Sequence, residues 1–482
     1  MAKVGRIVGN VGAQEDSISD SGAEAFLGLD PVVRAGLSKY QSLVEAIAVG
    51  VESGTLKAGA RLPPQREIAR HFGVTVATVT KAIDLATRRG LVLARAGSGT
   101  FICHASDDDN LGERPGFFDL SLNSPPVVIA APILQRSLAA ITTSADVQKL
   151  FGYSPIPGSA RNRRAGAAWF ALRNLTVPAE QILITQGAHE GLICALLALS
   201  KPGDTILCER LNYAGLKRIA QLLQLRLVGL EIDSDGIDTA ALARFRKDSA
   251  VKAIVCTPVT HNPTTATLSR PRRDALLRFA RGASIPIVED DIYGLLAGTE
   301  TPPLASEWPE GVVVVSSLSK SVSPGIRLGY VAAPPALVSR VQDAMFMLGW
   351  TEPSMQAAIA SQLIHSGDAF QSTLLHRKEA RRRVELAGRI LGDFMVTPLD
   401  AVTYHIWVRT GHLRPSEITA ELYRLGVLVS PSSHFAVDDS SEDAAVRISL
   451  GGSSTYDDLR APLESVARLL TSGRSMSFGA IV

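Results

Sequence analysis

Residues 312–330 read VVVVSSLSKSVSPGIRLGY, and this stretch decides the fold of the chain. The four consecutive valines predict a short strand buried on both faces, as in parallel sheets covered by helices. A loop with Ser317, Ser319 and Lys320 follows the strand, and Arg327 lies beyond a Pro-Gly turn. Hydroxyls and a guanidinium suit phosphate oxygens, whereas a lysine amine can form a Schiff base with an aldehyde. The loop therefore indicates a ligand with a phosphate at one end and an aldehyde at the other, and a solvated surface loop is the alternative.

The loop resembles the pyridoxal-phosphate lysine loop of fold-type I aminotransferases. The resemblance is carried by Ser317-Leu318-Ser319-Lys320 and by Pro324-Gly325-Ile326-Arg327. It implies pyridoxal 5'-phosphate as cofactor, a Schiff base at Lys320, and cofactor contacts from Ser317, Ser319 and Arg327.

Size and composition predict a multidomain protein of the reduced cytoplasm. A chain of 482 residues exceeds one ordinary core, so two or more domains are expected. The sequence contains no uncharged apolar run of about 18 residues, so no membrane span is expected, and the N-terminus lacks a secretory signal pattern. The four cysteines form no CxxC pair and have no metal-ligand spacing, so we expect neither disulfides nor a metal.

Basic charge is concentrated near the N-terminus. Residues 34–104 contain ten Lys and Arg against four Asp and Glu, which gives this segment a net charge of +6. The whole chain has a net charge of +2, so the remaining residues together carry −4. Such a concentration is typical of a nucleic-acid-binding segment, although many solvated domains carry a similar balance.

Start and stop signals in this segment predict a winged helix-turn-helix of the α+β class. A helical pattern from Lys39 stops at Ser53-Gly54, and a second helix is expected from Pro63-Pro64 to Phe72-Gly73. Thr75 can cap a third helix, and two strands are expected around Gly97-Ser98-Gly99.

Residues 39–102 resemble the GntR-type DNA-binding domain. The matching positions include Arg66-Glu67-Ile68-Ala69, Gly73-Val74-Thr75 and Gly97-Ser98-Gly99-Thr100-Phe101. The resemblance implies that the second and third helices meet phosphates and base edges, and that the wing approaches the minor groove. The implied contacts are Arg66, Thr75, Thr78, Thr80 and Lys81 on the helices, and Arg95, Gly97, Ser98, Gly99 and Thr100 on the wing. A winged helix that serves only protein interactions is the alternative.

Beyond residue 117 the strand and helix patterns alternate, as a doubly wound α/β sheet requires. We expect strands that end at Ile184, Leu207, Cys256, Val288 and Val315, each followed by polar residues. Ligands bind outside the carboxyl ends of such strands, so these polar residues are expected in one pocket.

The domain limits follow from these patterns. We expect a mobile arm at 1–35, a winged helix at 36–103, a linker at 104–117 and an aminotransferase-like domain at 118–475. That domain is expected to divide into a large lobe to residue 349 and a small lobe from residue 350.

The first polar groups suit a phosphate, because the amides of Ala188 and His189 begin a helix after Gly187. For the cofactor ring, the resemblance implies stacking on Tyr213 and a carboxylate at the pyridine nitrogen. Asp290 is the predicted carboxylate, and Asp291 competes with it.

Four further positions complete the implied site. Asn262 and Tyr293 would contact the ring oxygen, and Tyr153 would reach the phosphate from the partner subunit of a homodimer. Arg447 would hold the carboxylate of a substrate or effector. Each residue alone has an ordinary structural reading as packing, a turn, a cap or a strand arginine.

Residues 39–472 as a whole resemble the MocR subfamily of GntR regulators, in which a winged helix precedes an aminotransferase-like domain. The resemblance implies a dimeric regulator that binds operator DNA and senses an amine or amino acid by Schiff-base exchange at Lys320. A working aminotransferase is the first alternative, because every residue for Schiff-base chemistry is present. A pyridoxal-phosphate sensor for vitamin homeostasis, which needs no amine, is the second.

Overall fold

The computed structural model describes residues 26, 28–29, 38–53, 55–56, 60–88, 91–95, 99–102, 117–144, 146–298, 300–438, 443–452 and 455–476. These residues form two compact units, one that ends at residue 102 and one that starts at residue 117. Most of the expected arm and linker lies outside the described residues, as do Gly97, Ser98 and the Arg95 side chain.

The first unit is a winged helix, as predicted. Its helices are α1 (Lys39–Glu52), α2 (Gln65–His71) and α3 (Val76–Arg88), and its strands are β1 (Val92–Arg95) and β2 (Gly99–Ile102). The two strands pair antiparallel. Apolar side chains of all three helices, among them Leu43, Ile47, Ile68, Val79 and Ile83, are buried in one core.

The turn between α2 and α3 has the predicted chemistry. Gly73 has a φ of +60°, which glycine adopts at little cost because it has no Cβ atom. The Thr75 hydroxyl accepts a hydrogen bond of 3.2 Å from the Thr78 amide, so it satisfies one of the free donors at the start of α3.

The second unit is built on a seven-stranded sheet. Its strands are β4 (Ile182–Thr185), β5 (Thr205–Glu209), β6 (Arg226–Leu230), β9 (Val251–Cys256), β10 (Ile287–Asp290), β11 (Val312–Ser317) and β12 (Gly329–Ala332), and a separate hairpin consists of β7 (Ile232–Asp233) and β8 (Gly236–Ile237). The order of strands in the sheet is β4-β12-β11-β10-β9-β5-β6. Only β12 in this sheet is antiparallel to its neighbours, and the sequence had not indicated it.

Helices cover both faces of this sheet. Val312 and Val314 of β11 point into one hydrophobic core, whereas Val313 and Val315 point into the other. The valine run is therefore buried on both faces, as predicted. The helices that precede the small lobe are α4 (Ala131–Thr142), α5 (Ala160–Ala171), α6 (Ala188–Leu199), α7 (Ala214–Leu222), α8 (Arg270–Ala283), α9 (Gly294–Ala297), α10 (Pro335–Gly349) and α11 (Ser354–His365).

The small lobe has a third core beneath a three-stranded antiparallel sheet. Its elements are α12 (Asp368–Leu391), β13 (His405–Arg409), α13 (Pro415–Arg424), β14 (Val427–Leu428), β15 (Ser430–Pro431), β16 (Ala445–Ser449) and α14 (Arg460–Met476). Among the described helices, none has the length and hydrophobicity of a membrane-spanning helix.

The expected lobe limits need a correction at both ends. Strand β3 (Phe118–Asp119), which was assigned to the large lobe, pairs with β14 of the small lobe, and Leu120 is buried in the small-lobe core. Helix α11, which was assigned to the small lobe, packs into a large-lobe core through Ala357 and Leu363. Strand β3 belongs to the small lobe because its main chain is hydrogen-bonded to β14, and helix α11 belongs to the large lobe because its apolar side chains pack there.

Candidate functional site

A cavity of about 490 Å³ lies at the carboxyl ends of the central strands. Its walls include every residue that the sequence predicted for the cofactor and effector except Tyr153. These residues are Ala188, His189, Tyr213, Asn262, Asp290, Tyr293, Ser317, Ser319, Lys320, Arg327 and Arg447. Four of the five expected strands are longer than predicted, because ladder pairing carries β4 through Thr185, β5 through Glu209, β10 through Asp290 and β11 through Ser317.

One end of the cavity is suited to an anion. Helix α6 begins at Ala188 without a side-chain cap, and its N-cap Gly187 has a φ of +100°. The first amides of a helix lack intrahelical acceptors, and the helix dipole favours negative charge there. A Cβ atom on Gly187 would lie 3.3 Å from Arg327 Nη2, so the glycine lets the guanidinium approach the helix start.

The serine loop lies at the same end of the cavity. Ser317 and Ser319 both line it, and the Ser319 amide donates to Ser317 Oγ at 3.1 Å. Arg327 has a φ of +51°, an uncommon conformation for a residue with a side chain. Two hydroxyls, helix amides and a guanidinium together form a donor set for phosphate oxygens.

Lys320 presents a half-buried amine inside the cavity. Burial, with the nearby Arg447 and Arg327 cations, lowers the pKa of Lys320 to about 8, whereas Asp290 opposes the shift. The Nζ atom donates a hydrogen bond to the backbone carbonyl of Asn123. A lysine with a lowered pKa has more of the neutral, nucleophilic form near neutral pH.

Asp290 and Asp291 have different environments. Asp290 lines the cavity, and its Oδ1 atom is buried without a hydrogen-bond partner among the described residues. Burial raises the pKa of Asp290 to about 7. The Asp291 carboxylate instead forms two hydrogen bonds, of 2.9 and 3.0 Å, with the buried Arg173 guanidinium. Asp290 is therefore the carboxylate available to a ligand.

Aromatic and amide side chains form the middle of the cavity. Tyr213 lies at the start of α7, and its ring meets the His189 ring edge-on at a centroid distance of 6.1 Å. The Asn123 side-chain amide donates to the Tyr293 hydroxyl at 2.6 Å. A planar ring bound here would have Tyr213 as an apolar neighbour and Asp290 as a polar one.

Arg447 closes the opposite end of the cavity. Its Nη1 atom donates to Asn262 Oδ1 at 3.1 Å, its Nη2 atom donates to the Ser121 carbonyl, and the Phe435 ring lies 4.7 Å from its Cζ atom. Its Nε atom is buried without a partner in the described part of the chain. The guanidinium therefore keeps donor capacity for an anion.

Sequence reasoning missed Asn123, which lines this cavity, and Glu209, which bonds to the cavity residue Thr257. Asn123 contacts Lys320 through its backbone carbonyl and Tyr293 through its side-chain amide. Glu209 ends β5, accepts from the Thr257 amide at 2.8 Å, and has a pKa raised to about 7 by burial. An acid at the end of an apolar strand was the available signal for Glu209.

Tyr153 does not line the cavity of its own chain, and 86% of its surface is exposed. The next residue, Ser154, receives a hydrogen bond on its carbonyl from the Thr351 hydroxyl at 2.9 Å. Tyr153 is thus held at the surface beside the end of α10.

The predicted DNA-contacting side chains that the structure describes are exposed or half-buried. Arg66 on α2, Thr75 just before α3 and Lys81 on α3 are exposed. The exposed Thr80 hydroxyl donates to Gln65 Oε1 at 2.8 Å and thereby links the two helices. Thr78 and Thr100 are half-buried.

The cavity fits pyridoxal 5'-phosphate at three points. The donor set around Gly187 and Arg327 suits the phosphate, the unpartnered Asp290 Oδ1 suits a protonated ring nitrogen, and the Lys320 amine suits the aldehyde. The unpartnered Asp290 Oδ1 and the lowered pKa of Lys320 are features expected of a site built for a ligand.

A fold-type I aminotransferase-like domain that follows a winged helix defines a class of DNA-binding regulators. Residues 116–463 match the family of aminotransferases class I and II, and residues 39–102 match the gntR family of bacterial regulatory proteins. The chain belongs to the aminotransferase class I and II family and, with its gntR domain, to the MocR type of regulator, whose aminotransferase-like domain binds pyridoxal 5'-phosphate.

Named relatives share this arrangement. The HTH-type transcriptional regulator YdeF of Bacillus subtilis is 28% identical over 89% of this chain and 94% of its own length. The vitamin B6 salvage pathway transcriptional repressor PtsJ of Salmonella typhimurium is 27% identical over 87% and 96%. The kynurenine aminotransferase of Pyrococcus horikoshii is 19% identical with a TM-score of 0.69, covers 76% of this chain and 94% of its own, and shows the fold.

Proposed function

We propose that this protein is a transcriptional regulator that senses an amine or amino acid at Lys320 and changes its binding to operator DNA. The observation that carries the proposal is a cavity lined by Lys320, Asp290 and Arg447 in a chain that also has a gntR domain. A DNA-binding unit is of no use to a transaminase, whereas a ligand-binding unit is useful to a regulator.

The chemistry of sensing follows from the amine. The cofactor supplies an aldehyde that condenses reversibly with one primary amine at a time. An effector amine therefore competes with Lys320 Nζ, and in this exchange two hydrogens pass from the incoming nitrogen to the leaving one. Once displaced, Lys320 is a free amine in a buried site, and this changes the charge and contacts around Arg447 and Asp290. A ligand shifts the equilibrium between two protein states only by its different affinity for them.

We propose a homodimer in which Tyr153 reaches the partner's cofactor. Tyr153, Phe151 and Trp350 expose 86%, 80% and 59% of their surfaces, and the Phe346 ring contacts the Trp350 ring at a centroid distance of 4.6 Å. These aromatic groups surround the end of α10. That end lies close to the phosphate end of the cavity, because a Cβ atom added to Gly349 would be 3.5 Å from Gln186 Nε2. Exposed aromatic clusters of this kind mark subunit interfaces.

The same proposal includes contacts of the winged helix with DNA. The contacting residues are Arg66, Thr75, Thr78, Thr80 and Lys81 from the helices, and Arg95, Gly97, Ser98, Gly99 and Thr100 from the wing. Their support is exposure of Arg66, Thr75 and Lys81 on two neighbouring helices of a gntR domain. A chromosomal operator places the protein in the cytoplasm.

The test combines a spectrum with a DNA measurement. Full-length protein with added pyridoxal 5'-phosphate should show the absorption band of a Schiff base, and amino compounds should be screened for those that shift it. Each compound that shifts the band should change the affinity for bound genomic fragments. Lys320→Ala should lose the band and the response, whereas Lys201→Ala, an exposed lysine outside the cavity, should retain both.

A working aminotransferase is the second candidate, because Lys320 and Asp290 both have shifted pKa values in the cavity. Multiple turnovers of keto acid without any effect on DNA binding would favour it. A sensor of the cofactor itself is the third candidate, since the relative PtsJ is a repressor of the vitamin B6 salvage pathway, and such a sensor would respond to pyridoxal 5'-phosphate alone.

A further inference from the structure

The start of helix α3 exposes mainly side chains that carry methyl groups. The exposed residues of its first two turns are Val76, Ala77, Thr80 and Lys81. Val76 exposes 43% of its surface, whereas Val79 of the same turns is buried in the core of the winged helix. The packing of the domain therefore does not account for an apolar residue at position 76.

The two exposed threonines at this surface use their hydroxyl groups inside the domain. Thr80 Oγ1 donates to Gln65 Oε1 of α2 at 2.8 Å, so the starts of the two helices are in contact. Thr75, directly before α3, accepts a hydrogen bond of 3.2 Å from the Thr78 amide, and its hydroxyl lies 2.8 Å from the Thr78 hydroxyl. Because the hydroxyls are committed to these bonds, both threonines offer their methyl groups to a partner.

Cationic side chains flank this surface. Arg66 and Arg70 are exposed on α2, and Lys81 is exposed in the second turn of α3. These residues belong to the segment 34–104, which carries a net charge of +6 and contains the gntR domain. Cations bind phosphates and fix the position of a protein on DNA without reading its sequence. The first residues of the recognition helix, between these cations, are the ones that meet base edges.

The residue types at the start of α3 limit which bases it can read. In the major groove, guanine is read by Arg or Lys, adenine by Asn or Gln, and cytosine by Asp or Glu, in each case through hydrogen bonds. Thymine alone presents a methyl group there, which apolar side chains contact. Between Thr75 and Ile83, Lys81 is the only residue of these six hydrogen-bonding types.

We propose that Val76, Ala77 and Thr80 recognise thymine methyl groups in the major groove, so that thymines at the positions facing the start of α3 define the operator. Lys81 supplies the one donor in this stretch, for a guanine or a phosphate. Burial of one methyl group contributes about fourfold to a binding constant. This inference rests on the proposed function, because it needs DNA binding by the winged helix, and it specifies the class of operator.

The test removes thymine methyl groups and changes nothing else in the DNA. Full-length protein with pyridoxal 5'-phosphate first selects duplexes from a random pool. One selected duplex is then synthesised with deoxyuridine in place of each thymine in turn, which keeps every hydrogen-bonding group of the base and removes only the methyl group. We expect the dissociation constant to rise about fourfold at two or more thymines and to stay unchanged at thymines in the flanking sequence.

Val76→Ala assigns one of these contacts to a residue. Val76 is exposed, so its truncation leaves the core of the domain intact. We expect the deoxyuridine effect at one thymine to fall from about fourfold to about twofold or less, and the effects at other thymines to remain. Val49→Ala is the matched control, because Val49 exposes 50% of its surface on α1 of the same domain. Equal deoxyuridine effects in the two variants would contradict the role of Val76.

The outcomes separate this inference from the proposed function. A dissociation constant that deoxyuridine leaves unchanged at every thymine would overturn thymine recognition, even where an amino compound alters DNA binding and so supports sensing at Lys320. Deoxyuridine effects without a response to any amino compound would support thymine recognition and count against sensing. Failure to bind any duplex at low salt would contradict both.

Discussion

Arg447 Nη1 donates a hydrogen bond of 3.1 Å to Asn262 Oδ1, and this bond joins the two lobes inside the cavity. Arg447 belongs to β16 of the small lobe, whereas Asn262 follows β9 of the large lobe. The proposed effector anchor and a proposed cofactor contact are therefore direct neighbours. A ligand that binds Arg447 changes the contacts of Asn262, which couples effector binding to the relation between the lobes.

Arg447→Lys should separate cofactor binding from effector binding. A lysine keeps the charge but cannot offer a carboxylate two parallel donors. We expect the affinity for an effective amino acid to fall roughly tenfold or more, while the Schiff-base band of the resting protein remains. Spectral titration with the amino acid measures the change, and an unaltered affinity would contradict the assignment of Arg447.

Attachment of the cofactor should depend on pH through Lys320. Burial lowers the pKa of Lys320 to about 8, and only the neutral amine attacks the aldehyde. Below that pH the amine is increasingly protonated, so the rate of band formation should rise with pH and level off above about 8. Stopped-flow absorbance over this range measures the rate. A rate that keeps rising until the pH reaches the ordinary pKa of lysine, about 10.4, would show that the pKa of Lys320 is not lowered.

Asp290→Asn and Asp291→Asn should have opposite effects. Asp290 has a buried oxygen without a described partner, so its neutral replacement should leave the cofactor-free protein folded and weaken cofactor binding. Asp291→Asn leaves the buried Arg173 cation without its carboxylate, a loss of about 3–5 kcal/mol in unfolding free energy. Urea unfolding and cofactor titration of both variants measure the difference, and the reverse pattern would favour Asp291 as the cofactor's partner.

Arg66→Ala should reduce the dependence of DNA binding on salt. If Arg66 neutralises one phosphate, its loss should lower the slope of log affinity against log salt by about 0.9 and weaken binding to all sequences alike. Arg136→Ala removes an exposed arginine of the second unit and is the matched control. An Arg66→Ala slope equal to that of the control would remove Arg66 from the DNA interface.

The arrangement of the cofactor cavity was predictable because it depends on local signals. Each polar group lies at or just after the carboxyl end of a buried apolar strand, and parallel strands bring these ends to one edge of the sheet. Asp290 and Lys320 could therefore be placed together from the apolar runs that precede them. The turn before Thr75 and the helices beside it were equally local, since capping and glycine conformation decide them.

The effector end of the cavity was not predictable in the same way. The contact of Ser121 with Arg447 joins positions 326 residues apart, and it involves a backbone carbonyl, which leaves no trace in side-chain patterns. The place of β3 in the small lobe depends on the free edge of β14, which is known only once the lobe has folded. Asp291 showed its role only through Arg173, a buried partner 118 residues away.

The central claim is that a ligand at Lys320 controls DNA binding. The most direct measurement is the dissociation constant of the full-length holoprotein for one genomic fragment, with and without an amino acid that shifts its spectrum, in parallel with keto-acid release. The account predicts a change of fivefold or more, roughly 1 kcal/mol of coupling, with little or no keto acid, and no change in Lys320→Ala. Equal dissociation constants in both conditions, together with rapid keto-acid production, would contradict the account and favour an aminotransferase.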